Sequence, residues 1–126
     1  VYFPLHFEPE RLFLIDVPFF DNQLSIISNI SKSLPVDYNL YVKEHPMMKT
    51  QAWRDITFYK KLMDLPNVKL IHPSVNPSEL IQNSSLVITI AGTTGQEATL
   101  HEIPTLTFSN QIYSILSSVT LVDKIE

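Results

Sequence analysis

The sequence predicts an α/β domain, layered helix–sheet–helix around a mainly parallel sheet of about five strands. Three observations carry that expectation. Short apolar runs alternate with segments of helical periodicity along the chain. The most strand-like run, "SLVITI" at 85–90, has the apolar character of a central parallel strand covered on both faces. The only two glycines of the 126 residues, Gly92 and Gly95, follow that run and bracket a pair of threonines, as a tight turn or a ligand close to the backbone would require.

Taken in order, Val1 to Leu5 reads as a first strand, ended by Pro4-Leu5-His6. The stretch "HFEPERLFLIDVPFFD" that follows is irregular, and its apolar residues are assigned to the core. From Asp21, a suitable N-cap, Leu24, Ile27, Ile30 and Leu34 share one helical face, and Pro35 closes the helix. "YNLYVKE" at 38–44 alternates as a strand and is cut by His45-Pro46. A second helix fits 55–64, with Ile56, Tyr59 and Met63 on one side. "NVKLI" at 67–71 is the next strand, and a short helix at 77–83 starts with Pro77 in its first turn. After the 85–90 strand the glycine–threonine turn leads into a helix at 96–101, and 104–108 makes the fifth strand. The order is that of a Rossmann-like three-layer domain.

Composition narrows the function classes. The length suits one domain with a real core. A formal charge of −4, with nine Lys and Arg residues in no long run, excludes the electrostatic footprint of a nucleic-acid binder. The absence of cysteine excludes disulfides and thiolate metal sites. No apolar stretch approaches the ~20 residues that span a bilayer, and no signal peptide is legible, so a cytoplasmic location is expected.

Ligands of open α/β sheets bind beyond the carboxyl ends of the strands. In this chain those ends carry His6, Glu44-His45-Pro46, His72-Pro73, Gly92-Thr93-Thr94-Gly95 and Ser109-Asn110-Gln111. Any one of these histidines is explained by the polarity of loops. Three of the four on one edge weigh towards function, most of all for His45. A glycine-containing turn that feeds a helix offers unpaired N–H groups and the positive end of the helix dipole to an anion. Thr93 and Thr94 add hydroxyl donors. The Lys-Ser/Thr of a P-loop and the full GxGxxG of a dinucleotide fold are both missing. A tight strand-to-helix turn with a threonine cap explains the spacing equally well. Glu97, one turn into the helix, suits ribose hydroxyls or simply an acid near a helix N-terminus. His45 is placed to stabilise or protonate a departing phosphate, with Pro46 holding the turn rigid behind it. Lys43 and Glu44 tell less, because strand alternation is expected to point one of them at solvent.

Together the residues resemble a known family. "YFPLHFEPE" (2–10), "YVKEHP" (41–46), "FYKKLMDLPNVKLIHPS" (58–74) and "SELIQNSSLVITIAGTTGQEATLHEIPTLTF" (78–108) are similar, in order, to the capsule polysaccharide biosynthesis family. Its members look like glycosyltransferases of the two-Rossmann-domain type, GT-B. The resemblance implies transfer of a sugar from a nucleotide donor, often a CMP-activated acidic sugar such as Kdo or sialic acid, with the donor bound by the C-terminal domain. That half is what this chain resembles. It also implies that His45, as catalytic residue, and Pro46 hold the CMP phosphate and base. Thr93 and Thr94, between Gly92 and Gly95, would meet the donor phosphate, Glu97 the ribose, and His6 would join the same block in an unassigned role. No metal or cofactor is implied.

The sequence departs from the family where Glu102-Ile103-Pro104 replaces the usual Gly-Lys-Pro before the fifth strand. Met47 and Met48 also follow His45-Pro46 with no nearby glycine. Residues 1–126 are expected to be one nucleotide-sugar-binding domain, a fragment of a larger two-domain protein. Its saccharide or lipid-linked acceptor would bind through a missing N-terminal domain, so turnover by the isolated chain is not expected. Peripheral association with the inner face of the membrane or with capsule assembly machinery fits that role. Two other readings keep the fold: a CDP-glycerol-type phosphotransferase or nucleotide-sugar epimerase, and a non-catalytic interaction module exposing Leu12 to Ile15 and Phe19-Phe20.

Overall fold

The computed structural model describes residues 1–5, 23–45, 56–90, 93–108 and 117–121. Its elements run β1 (Tyr2–Pro4), α1 (Gln23–Ser33), β2 (Leu40–Lys43), α2 (Ile56–Met63), β3 (Val68–Ile71), α3 (Pro77–Gln82), β4 (Val87–Thr89), α4 (Thr93–Leu100), β5 (Thr105–Thr107) and β6 (Val119–Leu121). The strands form one six-stranded sheet in the order β3-β2-β1-β4-β5-β6, and every described pairing is parallel. This is the Rossmann order, which reverses direction between β1 and β4. The expected α/β architecture holds, with one more strand than the sequence indicates. β6 is three residues long at a sheet edge, and two of its residues are exposed, so its hydrophobic alternation is too short to read.

The alternation of side chains along the strands sorts the core into two layers. Val1, Phe3 and Leu5, with Leu40, Val42, Val68, Ile88 and Ile90, pack against Ile26 and Ile27 of α1 and Leu62 of α2. Tyr2 and Val87 point the other way and meet Ile81 of α3 and Ala98 of α4. The helices after β1 and β2, α1 and α2, therefore cover one face, and the helices after β3 and β4, α3 and α4, cover the opposite face. Asn67 ties α1 to the start of β3: its Nδ2 donates to the Ser31 carbonyl at 2.8 Å, and its Oδ1 accepts the Ser31 hydroxyl. Asp21, the expected cap of the first helix, and residues 11–20 lie outside the described residues.

Both ends of the second helical layer are chemically marked. Asn76 caps α3, its Oδ1 accepting the Ser78 N–H at 2.9 Å, with Pro77 at the first helical position. At the far end of α4, Glu102 adopts φ 58°, the left-handed region. The Glu102 N–H donates to Thr99 O at 3.1 Å and the Ile103 N–H to Ala98 O at 3.0 Å. This is a Schellman cap, whose left-handed position ordinarily holds glycine. Glu102 thus stands where a glycine is ordinarily found, and Pro104 follows without continuing the helix.

Candidate functional site

The carboxyl edge of the sheet at the β1/β4 reversal is where an open α/β fold binds its ligand. β1 lies there between β2, whose end delivers His45, and β4, whose end leads to α4. Parallel strands lie ~4.8 Å apart, so the outlets of β2 and β4 are separated by roughly 10 Å across β1. His6, Pro46 and Gly92 lie outside the described residues, as do 109–111.

The end of β2 differs most from the sequence expectation. Neither Lys43 nor Glu44 faces solvent: their exposures are 3% and 2%. Alternation does send them to opposite faces, but in a three-layer fold both faces are covered. Glu44 shares the face of Leu40 and Val42, beneath α2. Its Oε1 accepts the His45 backbone N–H at 2.7 Å, and its Oε2 accepts the Tyr59 hydroxyl of α2 at 2.6 Å. Tyr59 stacks edge-on with Phe58, ring centroids 5.7 Å apart. Lys43 lies on the other face, where its β1 and β4 neighbours in the sheet are Pro4 and, one strand further, Thr89, itself fully buried. His45 is half-buried.

His72, at the end of β3, is exposed and serves its own turn. Its Nδ1 accepts the Ser74 N–H at 3.2 Å and lies 2.7 Å from the Ser74 hydroxyl. A ring nitrogen that accepts a backbone N–H carries no proton, so the hydroxyl donates to it as well.

Beyond β4 the helix starts earlier than the sequence indicates, at Thr93 rather than 96. Thr93 and Thr94 therefore occupy the first turn, and the N–H groups of Thr93, Thr94 and Gly95 precede the first intrahelical bond. The positive end of the helix dipole coincides with them. Gly95 is buried inside the helix, three residues before the buried Ala98. Its place there is one of packing: two small residues on one face let α4 lie close to the sheet.

Glu97 is half-buried and accepts a hydrogen bond from the Ser78 hydroxyl of α3 at Oε1. Its charge and the burial of Tyr2 together affect the tyrosine. Burial first, and the Glu97 carboxylate second, push the Tyr2 hydroxyl well above its ordinary pKa. Glu97 thus lies where α3, α4 and β1 meet. Among the described residues, no three His, Asp or Glu side chains group as metal ligands. No helix among them is long and apolar enough to cross a membrane.

Sequence reasoning missed Glu44 and Tyr59. The only available signal was an acidic residue next to His45, and its burial depends on a helix beginning twelve residues later.

Comparison with known proteins bears on the family and the fold. Residues 19–120 match the family described as capsule polysaccharide biosynthesis protein. No curated protein matches the chain by sequence. Among solved structures, KpsC of Thermosulfurimonas dismutans, a beta Kdo 2,7 transferase, is similar with a TM-score of 0.73 and 16% identity. The match takes in 96% of this chain and 37% of that one, a likeness of fold.

Proposed function

The chain belongs to the capsule polysaccharide biosynthesis family, and from that premise we propose that it is the donor-binding domain of a glycosyltransferase in surface-polysaccharide synthesis. The observation that carries this reading is the convergence at the β1/β4 reversal. His45 emerges on one side of β1 and the N-terminus of α4, with Thr93 and Thr94, on the other. The orphan N–H groups of α4 and the two threonine hydroxyls would receive the donor phosphate. When the bond between sugar and phosphate breaks, negative charge grows on the departing phosphate oxygens. The His45 imidazole would stabilise that charge or supply a proton to it. Glu97 would take the ribose hydroxyls, and Pro46, Gly92, Gly95 and His6 would complete the block. The donor in this reading is the CMP-activated acidic sugar, such as Kdo or sialic acid, that the family resemblance implies, and the solved structure of like fold is described as a Kdo transferase. The acceptor, a saccharide or a lipid-linked saccharide, would then be bound by a partner domain together with the base that activates it.

Calorimetric titration with CMP, CDP, UMP and UDP tests the reading, repeated on His45→Ala and Thr94→Ala. Selective binding of CMP, weakened at least about tenfold by each substitution, is the expected outcome; each would remove a charge-assisted contact worth about 1.5–3 kcal/mol. Preference for CDP would redirect the reading to a CDP-glycerol-type phosphotransferase, and preference for UDP to an epimerase. Indifference of CMP affinity to both substitutions would remove these residues from the site.

A further inference from the structure

We propose that Glu44 is a positioning residue for His45, acting jointly with Tyr59; this rests on the donor-site reading above. A carboxylate excluded from water needs hydrogen-bond donors to offset its lost hydration. Glu44 is 2% exposed. Two of its donors are the backbone N–H of the very next residue, at 2.7 Å on Oε1, and the Tyr59 hydroxyl, at 2.6 Å on Oε2.

The geometry has a consequence for His45. The bond to the His45 N–H constrains the peptide plane between residues 44 and 45, and with it the direction in which the imidazole leaves the strand. The bond to Tyr59 refers that direction to α2, which is anchored in the core by the fully buried Leu62. The Glu44 N–H also donates to Ile71 O on β3 at 3.4 Å, so the backbone just before His45 is tied to a neighbouring strand as well. Charge-assisted bonds of this kind are short and directional, and rigid support of a functional side chain is what makes its own contacts effective. Glu44 itself lies on the helix-covered face of the sheet, beneath α2. Its influence on a ligand at the sheet edge passes through His45.

The test is a double-mutant cycle in the full-length protein, read by CMP affinity. Glu44→Ala empties a buried position and removes this acceptor from the half-buried Tyr59, which risks the fold, so Tyr59→Phe is the primary variant and Glu44→Gln the conservative one. Tyr59→Phe is expected to weaken CMP binding about tenfold, the equivalent of one charge-assisted bond. In a His45→Ala background it should cost nothing further, because a residue acting through another has no effect once the other is gone. Glu44→Gln, which keeps one carbonyl acceptor, should fall between wild type and Tyr59→Phe. An equal loss in both backgrounds would show a general structural role and overturn the proposal, as would no loss in either.

Hydrogen exchange at the His45 amide separates this proposal from the donor-site reading. If the wild type does not bind CMP, the donor assignment fails, and the exchange rate decides the clamp alone. Faster exchange at His45 in Tyr59→Phe, with unchanged rates in β4 and β5, supports the clamp. Unchanged exchange at His45 overturns it.

Discussion

Replacing Glu102 with glycine should stabilise the protein, and the size of the gain follows from the cap at the end of α4. An L-residue in the left-handed region carries a steric cost of about 1–2 kcal/mol, and Glu102 sits there at φ 58°. Glycine escapes that cost but brings more backbone freedom to the unfolded chain, which returns about 0.4–1 kcal/mol. The exposed Glu102 carboxylate also faces the negative end of the helix dipole, and removing it adds a few tenths, about 0.3 kcal/mol. The balance is a net gain of about 1 kcal/mol. For a chain of 126 residues that corresponds to a rise in Tm of about 4 °C. Both hydrogen bonds of the cap, from Glu102 N–H to Thr99 O and from Ile103 N–H to Ala98 O, are backbone bonds that survive the change. The packing of Ile103 beside Ala98 also survives. Thermal and urea denaturation of Glu102→Gly and Glu102→Ala give the measurement. Alanine removes the charge and keeps the steric cost, so it should gain only the smaller part. Equal stability of the two variants would refute the argument, since the left-handed backbone would then carry no penalty for glycine to relieve.

Two further outcomes follow from the same face of the sheet. Burial and the Glu97 charge raise the Tyr2 pKa, so folding favours the protonated hydroxyl: its contribution is complete below the unfolded value of about 10 and is lost as pH rises from there towards the folded value. Urea midpoints between pH 8 and pH 11 should therefore fall more steeply for wild type than for Tyr2→Phe, and parallel profiles would exclude the linkage. Gly95→Leu should destabilise by several kcal/mol, about 2–3, by forcing a side chain between α4 and the sheet, whereas Gly95→Ala should cost less; a Leu variant as stable as wild type in urea would mean that α4 does not need the close approach.

What was legible in the sequence is what local periodicity encodes. The strands at 2–4, 40–43 and 87–89, and the helical spacing of Leu24, Ile27, Ile30 and Leu34, reflect burial on a covered sheet, and burial is written into neighbouring residues. The carboxyl edge was legible for the same reason, because a parallel sheet sends every strand end to one side. The start of α4 was misjudged because glycine reads as a breaker, whereas Gly95 serves by lacking a side chain. The remaining features depend on partners distant in the chain. Nothing in "KEHP" states that Glu44 is buried; that follows from Tyr59, fifteen residues on. Nothing near Glu97 points to Ser78, nineteen residues earlier, although that bond decides where the carboxylate sits. Glu102 is the opposite case, a residue whose own preference opposes its conformation and which the Schellman bonds hold there regardless. Hydrophobic spacing thus located the candidate site, while the polar contacts that orient its groups belong to the tertiary structure. A carboxylate is buried only where several elements have already brought its donors together, and for Glu44 those elements are β2 and α2.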